Sequence, residues 1–137
     1  MRRLAVLALV ATTALAGAHA QASAGERPPD TVAVASPDRP VEQLRFGCRR
    51  ASDGEHRGIA CRWAAADGAR RYVLYRSVDG GPRQAIYRTD ADGRMGHFDG
   101  PLRPGHRYRY AVVAFDGNGR VIGLGGPVTI GIPAPTG

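Results

Sequence analysis

Leu102-Arg103-Pro104-Gly105-His106-Arg107-Tyr108-Arg109-Tyr110-Ala111-Val112-Val113-Ala114-Phe115-Asp116-Gly117-Asn118-Gly119 is the stretch on which the fold turns. Pro104-Gly105 is a turn pair, after which Tyr108, Tyr110, Val112 and Ala114 recur at every second position. That is the period of a β-strand with one face in a core; a helix would repeat every three to four residues. Asp116-Gly117-Asn118-Gly119 then supplies a hairpin turn, since Asn and Gly accept the positive φ that tight turns need. The chain returns over 120–130 with Ile122, Val128 and Ile130.

Upstream the same grammar repeats. Turn residues recur roughly every eight to twelve positions from Leu44 to Ile132, and no segment sustains helical periodicity between caps. Five further strands are expected: 43–50 with Leu44, Phe46 and Cys48 on one face; 57–64 with Ile59, Cys61 and Trp63; 70–77 with Tyr72 and Leu74; 83–88 around Ile86; and 94–99 with Phe98 inward. Seven antiparallel strands make an all-β sandwich.

The first hairpin fixes its own register. Setting Cys48 opposite Cys61 makes every opposed pair of numbers add to 109, so Phe46 faces Trp63 and Leu44 faces Ala65. It also leaves Gly54-Glu55 as a two-residue turn with Gly first, as a type II′ turn requires. Hydrophobic faces, turn and cysteines thus select one pairing, and a disulfide closing this loop would contribute roughly 3 kcal/mol.

The arrangement resembles the fibronectin type III family. The second strand carries Ile59, Cys61 and Trp63, the third Tyr72 and Leu74, and the sixth is preceded by Leu102-x-Pro104-Gly105-x-x-Tyr108. The resemblance covers residues 42–132. It implies a seven-stranded immunoglobulin-like sandwich in which Trp63, Tyr72 and Leu102 are structural and Tyr108 is a tyrosine corner, its hydroxyl bonding nearby backbone. It also implies a binding, spacer or adhesion role, often beside catalytic domains of extracellular polysaccharide hydrolases. The cysteine pair departs from most members, and no Arg-Gly-Asp tripeptide occupies the last hairpin.

Outside the domain, Arg2-Arg3, the apolar stretch Leu4 to Ala16 and Ala18-His19-Ala20 read as a signal peptide over residues 1–20. Residues 21–41, with Pro28, Pro29, Pro37 and Pro40, read as a disordered linker, and 133–137 as a tail. The expected product is secreted, monomeric and without a membrane span. All 19 basic residues are Arg against 12 acidic ones. With Ala, Gly and Pro abundant, that Arg excess reads partly as compositional bias, so no nucleic-acid partner is inferred from charge.

No G-x-S-x-G, H-E-x-x-H or phosphate-cradling glycine loop occurs in the chain. The reading is therefore a non-enzyme without catalytic residues, metal or cofactor. Asp67, Asp90, Asp92, Asp116 and Asn118 gather at one pole of the expected topology, where ordinary turn formation accounts for them better than calcium. His56, Arg57, Arg103 and His106 fall at the other. Strand parity assigns Arg71, Val73, Tyr75, Tyr87, Arg109, Val113 and Phe115 to the outer face of the four-stranded sheet. Aromatics interleaved with Arg suit an exposed face that binds an extracellular protein or polysaccharide. The alternatives are a loop-presenting enzyme inhibitor and an accessory module of polysaccharide degradation.

Overall fold

A computed structural model describes residues 39–137. The signal peptide and most of the linker lie outside the described residues. The chain forms β1 (Glu42–Gln43), β2 (Phe46–Ser52), β3 (Arg57–Trp63), β4 (Arg71–Val78), β5 (Gln84–Asp90), β6 (Gly96–Asp99), β7 (Arg107–Phe115) and β8 (Val121–Gly131). They pair into a five-stranded sheet, β1-β8-β7-β4-β5, and a three-stranded sheet, β2-β3-β6. The domain is a fibronectin type III-like β-sandwich.

Its core lies between the sheets. Ile59, Cys61 and Trp63 from one sheet meet Tyr72, Leu74, Tyr108, Tyr110, Val112, Ala114 and Ile122 from the other. The register of β2 and β3 is the expected one, with Phe46 opposite Trp63 and Cys48 bonded to Cys61 directly across the ladder. Gly54 takes φ +104° in the connecting turn. The bridge predicts an intact mass about two daltons below that of the reduced protein, one hydrogen lost per thiol. Thiols that titrate fully in the native state would contradict it.

Four expectations are corrected. The strand expected over 43–50 is two: Glu42 and Gln43 run parallel to β8, and the chain crosses to the other sheet before Phe46. Leu44 therefore does not face Ala65; its N–H bonds the Leu124 carbonyl at 2.8 Å while its side chain plugs the core. Phe98 points outward, because it pairs with Ala60, while His97 and Asp99 oppose the inward Cys61 and Ile59. Tyr87 points inward. A bulge at Leu74/Tyr75 opposes Leu74 to Tyr87 and Tyr75 to Ala85, so the alternation slips by one residue at Ile86. Tyr87 accordingly packs 6.2 Å from Trp63 and stacks 4.5 Å from His97, and burial lowers the His97 pKa.

The tyrosine corner is present. The Arg103 N–H donates to the Tyr108 hydroxyl at 2.9 Å, and Tyr108 is buried. Tyr108→Phe leaves that N–H without its acceptor and is expected to destabilise by about 1–2 kcal/mol. Arg107→Ala, on the exposed side of the same strand, should stay within about 0.5 kcal/mol. Equal losses in chemical denaturation would refute the assignment. Trp63 and Tyr72 pack with ring centroids 6.3 Å apart, the Tyr72 hydroxyl accepts the Ala66 N–H at 2.7 Å, and Leu102 packs half-buried on the core.

Candidate functional site

The outer face of the five-stranded sheet differs from a simply exposed one. Val73, Tyr75, Val113 and Phe115 do point away from the core, but they are only 2–5% exposed. With Val121 they form a second apolar cluster, against which Val41 and Ala85 pack. Two guanidiniums lie on its rings: Arg71 is 4.9 Å from the Phe115 centroid and Arg83 is 5.1 Å from that of Tyr75. Long Arg stems cover apolar surface while their heads stay in water, which parity alone could not reveal. Of the seven residues expected to make an exposed face, Arg71 and Arg109 are exposed, Val73, Tyr75, Val113 and Phe115 are covered, and Tyr87 is on the other side.

One end of this face opens into a groove of about 440 Å³. Tyr75, Ser77 and Val113 form its floor with Ala111, while Arg83, Arg109, Leu124 and Pro127 stand around it. Sequence and local geometry explain the opening. The register of β7 against β8 shifts between Tyr110 and Val112, leaving Ala111 without a directly opposed residue on β8. The extra residue in β8 falls at Gly125-Gly126-Pro127. A Cβ on Gly125 would stand 2.6 Å from the Phe46 Cβ, and Gly126 has φ +91°. Only glycines allow β8 to bend this closely over the core, and the bend gives the groove its wall. Leu124 is left 42% exposed beside it.

The groove is electrostatically one-sided. Arg83 and Arg109 both line it, no Asp or Glu does, and neither Arg has an ion pair among the described residues. Tyr75, Arg109 and Val113 were expected on this face. Arg83 and Leu124 were not, because the β4–β5 turn and the β8 bulge set their positions; Ser77 follows Tyr75 in the alternation of β4 but is a small polar residue that parity did not single out.

At each loop pole, carboxylates are engaged by the chain itself. Asp116 accepts the N–H groups of Asn118 and Arg120 at 2.8 and 2.9 Å, and these bonds hold its carboxyl below the usual range. Among the described residues no three His, Cys, Asp or Glu side chains gather as a metal site. At the other pole each His has an Asp partner. His106 Nδ1 lies 2.6 Å from Asp79, whose other oxygen accepts the Arg107 N–H at 2.9 Å. That backbone bond, then His106, lowers the Asp79 pKa. His56 stands 3.5 Å from Asp53.

Comparison with known proteins matches no family model and no curated protein. Among solved structures, the chain is similar to pectate lyase PelI from Erwinia chrysanthemi in complex with tetragalacturonic acid. The TM-score is 0.52 at 23% identity over 64% of this chain. That likeness is one of fold, and the match spans 28% of the lyase. A Fn3-like protein from Clostridium thermocellum matches with TM-score 0.47 and 25% identity, over 68% of this chain and 97% of that one. Pectate lyase Pel3 from Pectobacterium carotovorum gives 0.46 and 21%, over 71% and 27% of the two chains.

Proposed function

We propose that this protein is an exported, non-catalytic module that binds an extracellular polysaccharide on the outer face of its five-stranded sheet. The observation that carries the reading is the groove over Ala111, which is open to solvent and sets Arg83 and Arg109 beside the apolar side chains of Leu124 and Pro127. Shallow clefts with apolar walls and a few placed polar groups suit ligands that are part ring face and part hydroxyl. The Cys48–Cys61 bridge supports an oxidising compartment, in keeping with the signal peptide read from residues 1–20. The fold likeness to a lyase crystallised with tetragalacturonic acid supports polysaccharides as the first ligands to test. The short turns at Gly54-Glu55 and Asp116–Gly119 offer no long anchor loop of the kind an inhibitor presents. Affinity gels cast with single polysaccharides test the reading. Retardation of the folded protein in at least one gel is expected, and free migration through every gel in the panel would overturn it.

A further inference from the structure

Resting on that reading, we infer that the groove selects an acidic polysaccharide, a polyuronate, whose carboxylates are held by Arg83 and Arg109. Arg109 pairs with Ser77 across β7 and β4, and Arg83 comes one residue before Gln84, which pairs with Arg76 across β4 and β5. The two arginines therefore spring from strands on either side of β4, their backbones about two strand spacings or roughly 10 Å apart. One sugar carries one carboxylate and reaches one of them. A run of uronates reaches both.

The groove is also prepared for this ligand. Arg83 lies over the Tyr75 ring, its guanidinium carbon 5.1 Å from the centroid, and it has no ion pair among the described residues, so its N–H groups are free to fork onto a carboxylate. A side chain already ordered in the free protein loses less entropy on binding. Neither Arg83 nor Arg109 has to leave a carboxylate partner first, and no acidic side chain in the lining repels the ligand. Leu124 and Pro127 supply apolar wall for the C–H faces of sugar rings.

Other polyanions fit less well. Single-stranded nucleic acid binds by stacking bases on open aromatic rings, and Arg83 already occupies the Tyr75 ring. An acidic protein partner requires about 800 Å² of surface with an apolar centre, whereas the apolar cluster of this face is 2–5% exposed.

The test is titration calorimetry of the exported protein with polygalacturonate, its methyl ester, a neutral glucan, and galacturonate oligomers of increasing length. Expected are binding of polygalacturonate, at least a tenfold loss on methyl esterification, and affinity that rises from monomer to tetramer. Arg83→Ala with Arg109→Ala should lose at least tenfold. Arg49→Ala with Arg62→Ala removes the same charge from exposed positions of the other sheet and should leave binding unchanged. Equal losses in both pairs would reduce the effect to net charge and overturn the site. Binding of the glucan or the methyl ester in place of polygalacturonate would overturn the acidic preference while leaving the polysaccharide module standing. Binding of none of them, with an acidic protein or nucleic acid bound instead, would overturn both.

Discussion

Asp99→Ala is expected to destabilise the domain by about 3 kcal/mol, seen as a lower urea midpoint with an unchanged slope. Asp99 ends β6 on its inner side, opposite Ile59. Its two oxygens receive Arg76 Nη1 at 3.0 and 3.1 Å, and the Tyr110 hydroxyl donates to one of them at 2.8 Å. Arg76 and Tyr110 belong to the five-stranded sheet and Asp99 to the three-stranded one, so this network ties the two layers together. The side chains of Arg76 and Asp99 are 23% and 12% exposed. Removing the carboxylate strands a guanidinium whose Nε already has no partner among the described residues. Breaking a fully buried pair costs about 3–5 kcal/mol, and the partial exposure of Arg76 places this one at the lower end.

The remaining members should separate. Tyr110→Phe deletes one donor and should cost about 1 kcal/mol, because the ion pair survives. Burial, with the hydrogen bond to Asp99, pushes the Tyr110 hydroxyl well above the usual phenol range, so it should stay un-ionised in alkaline titration of the folded protein. Replacing Arg76 and Asp99 together by Leu should cost less than Asp99→Ala alone, since no unpaired charge remains. If Asp99→Ala falls within about 0.5 kcal/mol of wild type, the pair is effectively solvated and does not join the sheets.

What the sequence disclosed and what it hid follow from one physical distinction. Register was legible wherever independent signals agreed. Cys48 and Cys61, the Phe46–Trp63 pair and the glycine at position 54 all demanded one pairing, and the structure adopts it. Tyr108 was legible because a turn of fixed length sets its hydroxyl against Arg103. Parity failed where a strand slips by one residue. Nothing local in Ala85-Ile86-Tyr87 marks the bulge, which arises from pairing with β4; Ile86 still packs on the core as expected, but Tyr87 joins it there instead of facing out. Position 98 failed for a related reason: a large aromatic reads as core, but Phe98 lies outside over glycines while the polar Asp99 turns inward to meet Arg76. The groove was half legible. Arg109 and Tyr75 follow from alternation, whereas Arg83 and Leu124 depend on where a turn and a bulge place the backbone.

Gly58→Ala is expected to cost about 3 kcal/mol, the upper end for overpacking, although it adds a single methyl group. Gly58 lies on β3 opposite Ala51. A Cβ there would stand 2.3 Å from the Asp99 carbonyl oxygen and 2.6 Å from Cζ of Phe98. The ring could rotate away, but the carbonyl is backbone, and Asp99 is held from the inner side by Arg76 and Tyr110. The end of β6 would have to move outward and stretch that network, so the methyl group also strains the tie between the sheets. Two other glycines isolate the cause. Gly47, on the facing strand, has nothing within 4 Å of an added Cβ, and Gly47→Ala should change stability by less than about 0.5 kcal/mol. Gly54 has equal space but φ +104°, so Gly54→Ala should cost about 1 kcal/mol through backbone strain alone. Chemical denaturation of all three variants with the disulfide intact separates contact from conformation. Because Gly58 and the ion pair act on the same end of β6, Gly58→Ala combined with Asp99→Ala should lose less than the two single losses added together. Simple additivity would mean that β6 yields to the methyl group without disturbing Asp99.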